Sequence, residues 1–168
     1  MKIGLLSDTH GDESRTRLAC TLLQDAGADC LVHAGDIGTE QVLYTMMEVF
    51  DFSRVPLYAV WGNIDRWSHT LDSFPSLNGV TLKEVSLNFH TGGYRVAMTH
   101  GDVPGELAKL TASQEYDLVV TGHTHVASDH REGRTRIINP GAVSNSLSPS
   151  VAVLDTELDR LDSLCLPN

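Results

Sequence analysis

The sequence predicts an α/β fold in which two β-sheets face each other and helices cover their outer sides. Three features of the pattern lead there. Short apolar runs alternate with segments of helical periodicity in the N-terminal third, a Gly-Gly pair separates two strand-like runs near the middle, and short strand-like runs around turns fill the C-terminal part. Strand–helix–strand alternation makes neighbouring strands parallel and lays the helices over the sheet, whereas hairpins make antiparallel neighbours. At 168 residues the chain is expected to form one domain, 1–168, with a hydrophobic core of its own.

Residues 2–7 form a short apolar run that reads as the first strand. Leu18, Leu22, Leu23 and Ala26 recur at helical spacing, and Gly27 is placed to end that helix. Residues 30–34 read as a buried strand, 39–50 as a second helix and 56–61 as a third strand. Residues 80–89 and 94–99 flank Gly92-Gly93, a hairpin signal. Residues 104–114 predict a helix with Pro104 in its first turn, and 118–121 another buried strand. From Ala127 onward, strands are expected around turns at Glu132-Gly133 and Leu158-Asp159. The expectation is a mostly parallel first half and an antiparallel second half.

Composition narrows the function classes. Apolar residues make up 41% and charged residues 20%, as in a soluble globular domain. The longest apolar run, Leu57 to Trp61, is five residues, too short to span a bilayer, and Ile3 to Leu6 is too short for a signal-peptide core. A cytoplasmic protein with no membrane partner is expected. The formal charge of −10, from 22 acidic against 12 basic residues, argues against a stable nucleic-acid complex, which needs a basic footprint. Cys20, Cys30 and Cys165 have no C-x-x-C spacing and read as reduced thiols.

The chemistry-bearing residues stand just after the predicted strands, where α/β folds place their sites. Asp8-Thr9-His10 follows the first strand, Gly35-Asp36 the second and Gly62-Asn63-Ile64-Asp65 the third. His100-Gly101-Asp102 and Gly122-His123-Thr124-His125 follow two later ones. Carboxylates and imidazoles together suit manganese, iron, nickel, cobalt or zinc better than calcium, which prefers oxygen alone. Each motif alone is weak: Gly-Asp occurs at many turns, and Gly-Asn-x-Asp also fits a turn or helix cap. Seven ligand-type residues at five successive strand ends make the metal reading the stronger one.

This ordered set resembles the calcineurin-like metallophosphoesterases, whose D-x-H, G-D, G-N, H and G-H-x-H pattern stands here as Asp8/His10, Gly35-Asp36, Gly62-Asn63, His100 and Gly122-His123-Thr124-His125. The resemblance extends to Asn139-Pro140-Gly141 and is strongest to the small prokaryotic phosphodiesterase branch (YfcE-type). It implies an αββα four-layer sandwich of two mixed β-sheets flanked by helices. It also implies two divalent metal ions, manganese foremost, with nickel, iron, zinc, cobalt or magnesium as alternatives. Asp8, His10 and His125 would hold one ion, Asn63, His100 and His123 the other, and Asp36 would bridge them. Asp36, Asn63 and His100 would be the catalytic members. The implied reaction is hydrolysis of a small phosphodiester by a metal-bridging hydroxide, in a site whose net charge of about +1 attracts a diester anion.

One departure stands out. Many relatives carry histidine after the asparagine, and this chain has Ile64, which neither donates a proton nor stabilises charge. The small prokaryotic branch lacks that histidine too. Asp65 is read as hydrogen-bonding one of the ligands or as capping the segment that begins at Arg66, His33 as a support or a packed strand-end residue, and Asp102 as a turn residue. Arg66 and His69 are read as solvated-loop residues rather than substrate contacts. The alternatives to a phosphodiesterase are a phosphomonoesterase on the same dinuclear site and a non-catalytic protein-binding scaffold of the same fold, like the eukaryotic retromer scaffold subunit. By resemblance, self-association as a homodimer or larger homo-oligomer is expected.

Overall fold

A computed structural model describes residues 1–72 and 74–167. The first half follows the alternation: β1 (Lys2–Leu6), α1 (Glu13–Asp25), β2 (Cys30–His33), α2 (Glu40–Val49) and β3 (Leu57–Val60). Asp12 starts α1 by accepting the Arg15 N–H at 2.9 Å, relieving one of the unpaired donors of the first turn. The helix buries Thr16, Ala19, Cys20 and Leu23, the i, i+3, i+4, i+7 stripe, and breaks before Gly27 at φ +79°. α2 likewise buries Val42, Leu43 and Met46. A short helix absent from the sequence reading, α3 (Asn63–Ser68), follows β3 directly.

The run over 80–89 is two strands rather than one. β4 (Val80–Lys83) lies parallel to β3, while β5 (Ser86–Thr91) pairs antiparallel with β6 (Tyr94–Thr99) in a different sheet. The chain passes between sheets at Glu84-Val85. The β5–β6 hairpin turns at Gly92-Gly93, both at positive φ (+55° and +81°), which matches the twist of the strands. Then come α4 (Glu106–Ala112), β7 (Leu118–Val120), β8 (Ser128–Glu132), β9 (Thr135–Asn139), β10 (Ser150–Asp155) and β11 (Arg160–Cys165).

The two sheets run β11-β10-β1-β2-β3-β4 and β5-β6-β7-β9-β8. Both are mixed, as the four-layer sandwich requires, so an antiparallel second half is corrected. β6, β7 and β9 are mutually parallel at the centre of the second sheet, with β5 and β8 antiparallel at its edges. The C-terminal hairpin β10–β11 returns to the first sheet, where β10 pairs with β1.

Alternation along the strands divides the core into three layers. Ile3, Leu5, Val32 and Val60 from the first sheet meet Val96, Met98, Leu118 and Val120 from the second. The opposite faces carry Leu6, Leu31 and Leu57 against α1 and α2, and Ala97, Val119 and Ile137 under Leu107 and Leu110 of α4. Each such fully buried Leu or Val contributes roughly 1.5–3 kcal/mol. Among the described residues no helix is long and apolar enough to cross a membrane. All three cysteines are free thiols.

Candidate metal centre

Parallel neighbours end on the same edge of a sheet, so β1, β2 and β3 deliver their following loops to one edge and β6 and β7 deliver theirs to the facing edge. This brings the five motifs together. The turns are sharp: Asp8, His10, Asp36, His123 and His125 all have positive φ, between +50° and +67°. Such backbone costs of order 1–3 kcal/mol per non-glycine residue and persists only where surrounding contacts fix it. Here Asp8 N–H donates to Gly35 O (3.0 Å), His10 N–H to Asp36 O (2.9 Å) and Gly122 N–H to His100 O (2.9 Å). Gly122 has no room for a side chain, because a Cβ there would stand 2.9 Å from Asp8 Oδ2 and still closer to Ser7 Oγ.

Two overlapping groups of side chains result, Asp8/His10/His125 and Asp8/Asp36/His100. Asp8 Oδ1 lies 3.2 Å from His125 Nε2 and 3.9 Å from both His10 Nε2 and His100 Nε2. His10 Nε2 and His125 Nε2 are 3.1 Å apart, and His100 Nε2 is 3.4 Å from Asp36 Oδ2. The His123 ring meets the His100 ring edge-on at 5.1 Å. Asp8 is therefore the carboxylate common to both groups, while Asp36 faces His100.

Backbone carbonyls orient two imidazoles: His100 Nδ1 faces Ala34 O at 2.8 Å and His125 Nδ1 faces Asn145 O at 3.1 Å. Donation from each Nδ1 leaves the Nε2 lone pair aimed into the cluster, the tautomer a metal needs. Asp8 Oδ1, Asn63 Oδ1 and His100 Nε2 are buried without any hydrogen-bond partner. Three buried polar atoms left unpaired would each cost about 1–3 kcal/mol, and divalent cations bound beside them would supply the missing partners. Burial by itself would lower the His100 pKa, but the Asp36 carboxylate and then Asp8 outweigh it and hold His100 above the ordinary histidine value. Burial raises Asp36, and His100 with the Ile64 N–H more than offsets it, so Asp36 is held below the usual carboxylate value. Two carboxylates in a dry pocket demand positive charge, and the donor set fits a borderline dication.

The supporting residues were less legible. Asp65, buried, accepts N–H groups from Ile37 (3.0 Å), Gly38 (2.7 Å) and Gly62 (2.8 Å), tying the loop after Asp36 to the residue before Asn63. It touches no ligand side chain, yet it fixes two ligand-bearing loops and the start of α3. His33 is a strut of the same kind. Its Nδ1 accepts the Gly35 N–H (3.2 Å), so its Nε2–H donates to Thr9 Oγ1 (3.0 Å), between Asp8 and His10. Full burial, then the charge of His100, pushes its pKa down to about 3.

Arg66 is not a solvated-loop residue. Its guanidinium donates to Trp61 O (2.9 Å), Glu84 O (2.8 Å) and the Asp102 carboxylate, joining α3, the crossover between sheets and the loop after His100. Asp102 is that cation's partner as well as a turn residue. His69 is exposed beside Asp72, as expected of solvated loop. Asn139 stands in the Asn-Pro-Gly segment, where the sequence gives it no role of its own. Its Nδ2 donates to Gly122 O (2.8 Å) and Thr124 Oγ1 (3.1 Å), bracing the His123 turn from β9.

Comparison with known proteins agrees with this arrangement. A family model described as the calcineurin-like phosphoesterase superfamily domain matches residues 1–159. The chain is 28% identical to Phosphodiesterase MJ0936 of Methanocaldococcus jannaschii over 160 residues, 94% of each chain. It is 29% identical to Phosphodiesterase YfcE of Escherichia coli over 154 residues, 86% of this chain and 80% of YfcE. A solved structure described as a novel archaeal phosphodiesterase superposes with a TM-score of 0.81 at 24% identity, covering 99% of this chain and 100% of the other. With the match spanning nearly its whole length, the chain belongs to the calcineurin-like phosphoesterase superfamily.

Proposed function

We propose that this protein is a metal-dependent phosphodiesterase acting on small phosphodiesters, with two divalent cations, manganese foremost. Asp8, His10 and His125 would hold one, and Asn63, His100 and His123 the other, with Asp36 between them. One observation carries the reading: Asp8 Oδ1 and His100 Nε2, which share a cluster, are buried and unpartnered, and so is Asn63 Oδ1 at the start of α3. Bound there, divalent ions supply Lewis acidity to the phosphoryl group and make water nucleophilic near neutral pH.

The chain's own residues set the terms of that chemistry. Asp36, held below the usual carboxylate value, stays ionised. Asn63 and neutral imidazoles add no negative charge, so the loaded site stays attractive to a phosphate anion. Ile64 offers its backbone N–H to Asp36 Oδ1 at 3.0 Å, fixing that carboxylate while its side chain donates nothing to a leaving group. No lysine or arginine stands inside the ligand motifs, which favours a singly charged diester over a monoester. The ligand positions are all filled by competent groups, which supports an enzyme over a scaffold. The names of the relatives MJ0936 and YfcE support the same choice.

The test is metal analysis of purified protein, followed by turnover of an aryl phosphodiester and the matching monoester with each metal. About two metal ions per chain are expected under saturating manganese, with the diester preferred and His100→Ala folded but inactive. Fewer than two metal sites would refute the dinuclear reading. Undiminished turnover by His100→Ala would remove the site assignment.

A further inference from the structure

The outer face of the second sheet holds a cavity of about 480 Å³ lined at one end by the candidate ligand His123 and by Gly101 and Gly122, which directly follow His100 and precede His123. It runs away from the cluster between α4 and the edge strand β8. Its floor and α4 wall are apolar, from Val103, Leu107, Ala108 and Ile137. Its other wall is the row Ser128, His130 and Glu132, alternate residues that share one face of β8. The ends of that row are fixed. Ser128 pairs with Asn139, which bonds the Gly122–Thr124 turn, so Ser128 stands at the metal end. Glu132 stands at the far end, its carbonyl bonded by Gln114 beyond α4.

We propose that this cavity takes the organic arm of the diester and that the arm is a nucleoside whose base carries an amino group. The inference rests on the phosphodiesterase reading above. An apolar trough leading from a phosphate site suits a flat ring, which loses water from both faces without leaving polar atoms unpaired. The four-residue rise from Ser128 to Glu132 is roughly 13 Å, room for a nucleoside to lie along the row with its phosphate at the metal end and its base toward the long Glu132 side chain. At the outer edge of the base the cavity presents the half-exposed Glu132 carboxylate, with His130 Nε2 3.8 Å from its Oε1; the carboxylate itself has no donor capacity and favours an amino group over a carbonyl. Among the described residues no lysine or arginine lines the cavity, so an arm carrying further phosphates has no counter-charge there. Cytidine and adenosine arms fit these terms, and uridine and inosine arms present a carbonyl to Glu132.

Cytidine and uridine 5′-(p-nitrophenyl) phosphates differ only at that edge, and methyl p-nitrophenyl phosphate has no base. With the manganese-loaded protein, kcat/KM is expected to favour cytidine over uridine by roughly tenfold, the scale of one charge-assisted hydrogen bond. Glu132→Gln should erase that preference and leave the methyl ester unchanged. Ala108→Trp, at an exposed position of α4, should fill the trough, lowering kcat/KM for both nucleoside esters at least tenfold and sparing the methyl ester. In metal-free protein, titration with CMP and UMP followed by amide NMR should shift β8 and α4 resonances, more strongly with CMP. Hydrolysis of all three esters with no base preference, unaffected by Ala108→Trp, would overturn the inference and leave the phosphodiesterase standing. Failure to hydrolyse any ester would count against the phosphodiesterase, while the CMP titration would still decide whether the cavity binds a nucleoside.

Discussion

His33 should make the fold lose stability in acid by an amount that can be worked out in advance. The unfolded chain takes up a proton near the ordinary histidine value of 6.5, whereas the folded chain keeps the ring neutral down to about pH 3 because it is fully buried. The folded pKa is depressed, so the contribution is fully present above pH 6.5 and is lost as pH falls through the window from 6.5 to about 3. In that window the unfolded state holds one more proton than the folded one, and the slope is roughly 1.4 kcal/mol per pH unit. From pH 7.0 to pH 4.5 the loss from this residue is about 2.5 kcal/mol. The perturbation is His33→Asn, which keeps an acceptor for the Gly35 N–H but does not titrate there. Urea unfolding of both proteins in chelator across this pH range isolates the residue, since the remaining titratable groups are shared. The wild type should start the more stable and converge on the variant by about 2.5 kcal/mol as the pH falls. Parallel curves would refute a neutral His33 strut between Thr9 and Gly35.

Two further outcomes follow from the site. Asp65→Ala strands three backbone N–H groups and should cost about 3 kcal/mol in urea unfolding, with weaker manganese binding by calorimetry; Asp65→Asn, which keeps one carbonyl oxygen, should cost about half of that. With Ile64 in place of a proton donor, rates on phenyl diesters should fall steeply as the leaving-group pKa rises, and a flat dependence with chemistry limiting would refute an unassisted departure.

What could be read along the chain was what depends on nearby residues. Helical spacing located α1 and α2, because an amphipathic stripe is set by residues within two turns of one another. The Gly92-Gly93 turn located a hairpin for the same reason. The strand-end motifs marked the candidate ligands, since parallel strands in an α/β sheet end on one edge. Sequence did not say which sheet a strand joins. Period-two alternation is the same in β4 and β5, and only pairing with β3 or with β6 separates them. It also missed the parallel centre of the second sheet, because β7 and β9 neighbour each other with β8 between them in sequence.

The same boundary runs through the site. Asp8, His10, Asp36, Asn63, His100, His123 and His125 were all legible as ligand types, each in a short motif beside a strand. Arg66 was misread because its partner Asp102 is 36 residues away, and nothing in the intervening sequence marks the pair. Asp65 and Asn139 act on the backbone of distant loops, so their roles exist only once those loops meet. The sequence by itself determined the kinds of side chain and the order in which strands present them. The tertiary structure decided that Asp8 stands at the centre of the cluster, that His33 is a neutral strut, and that an apolar trough leads away from His123. Those are matters of packing between segments far apart in the chain, which local chemistry does not encode.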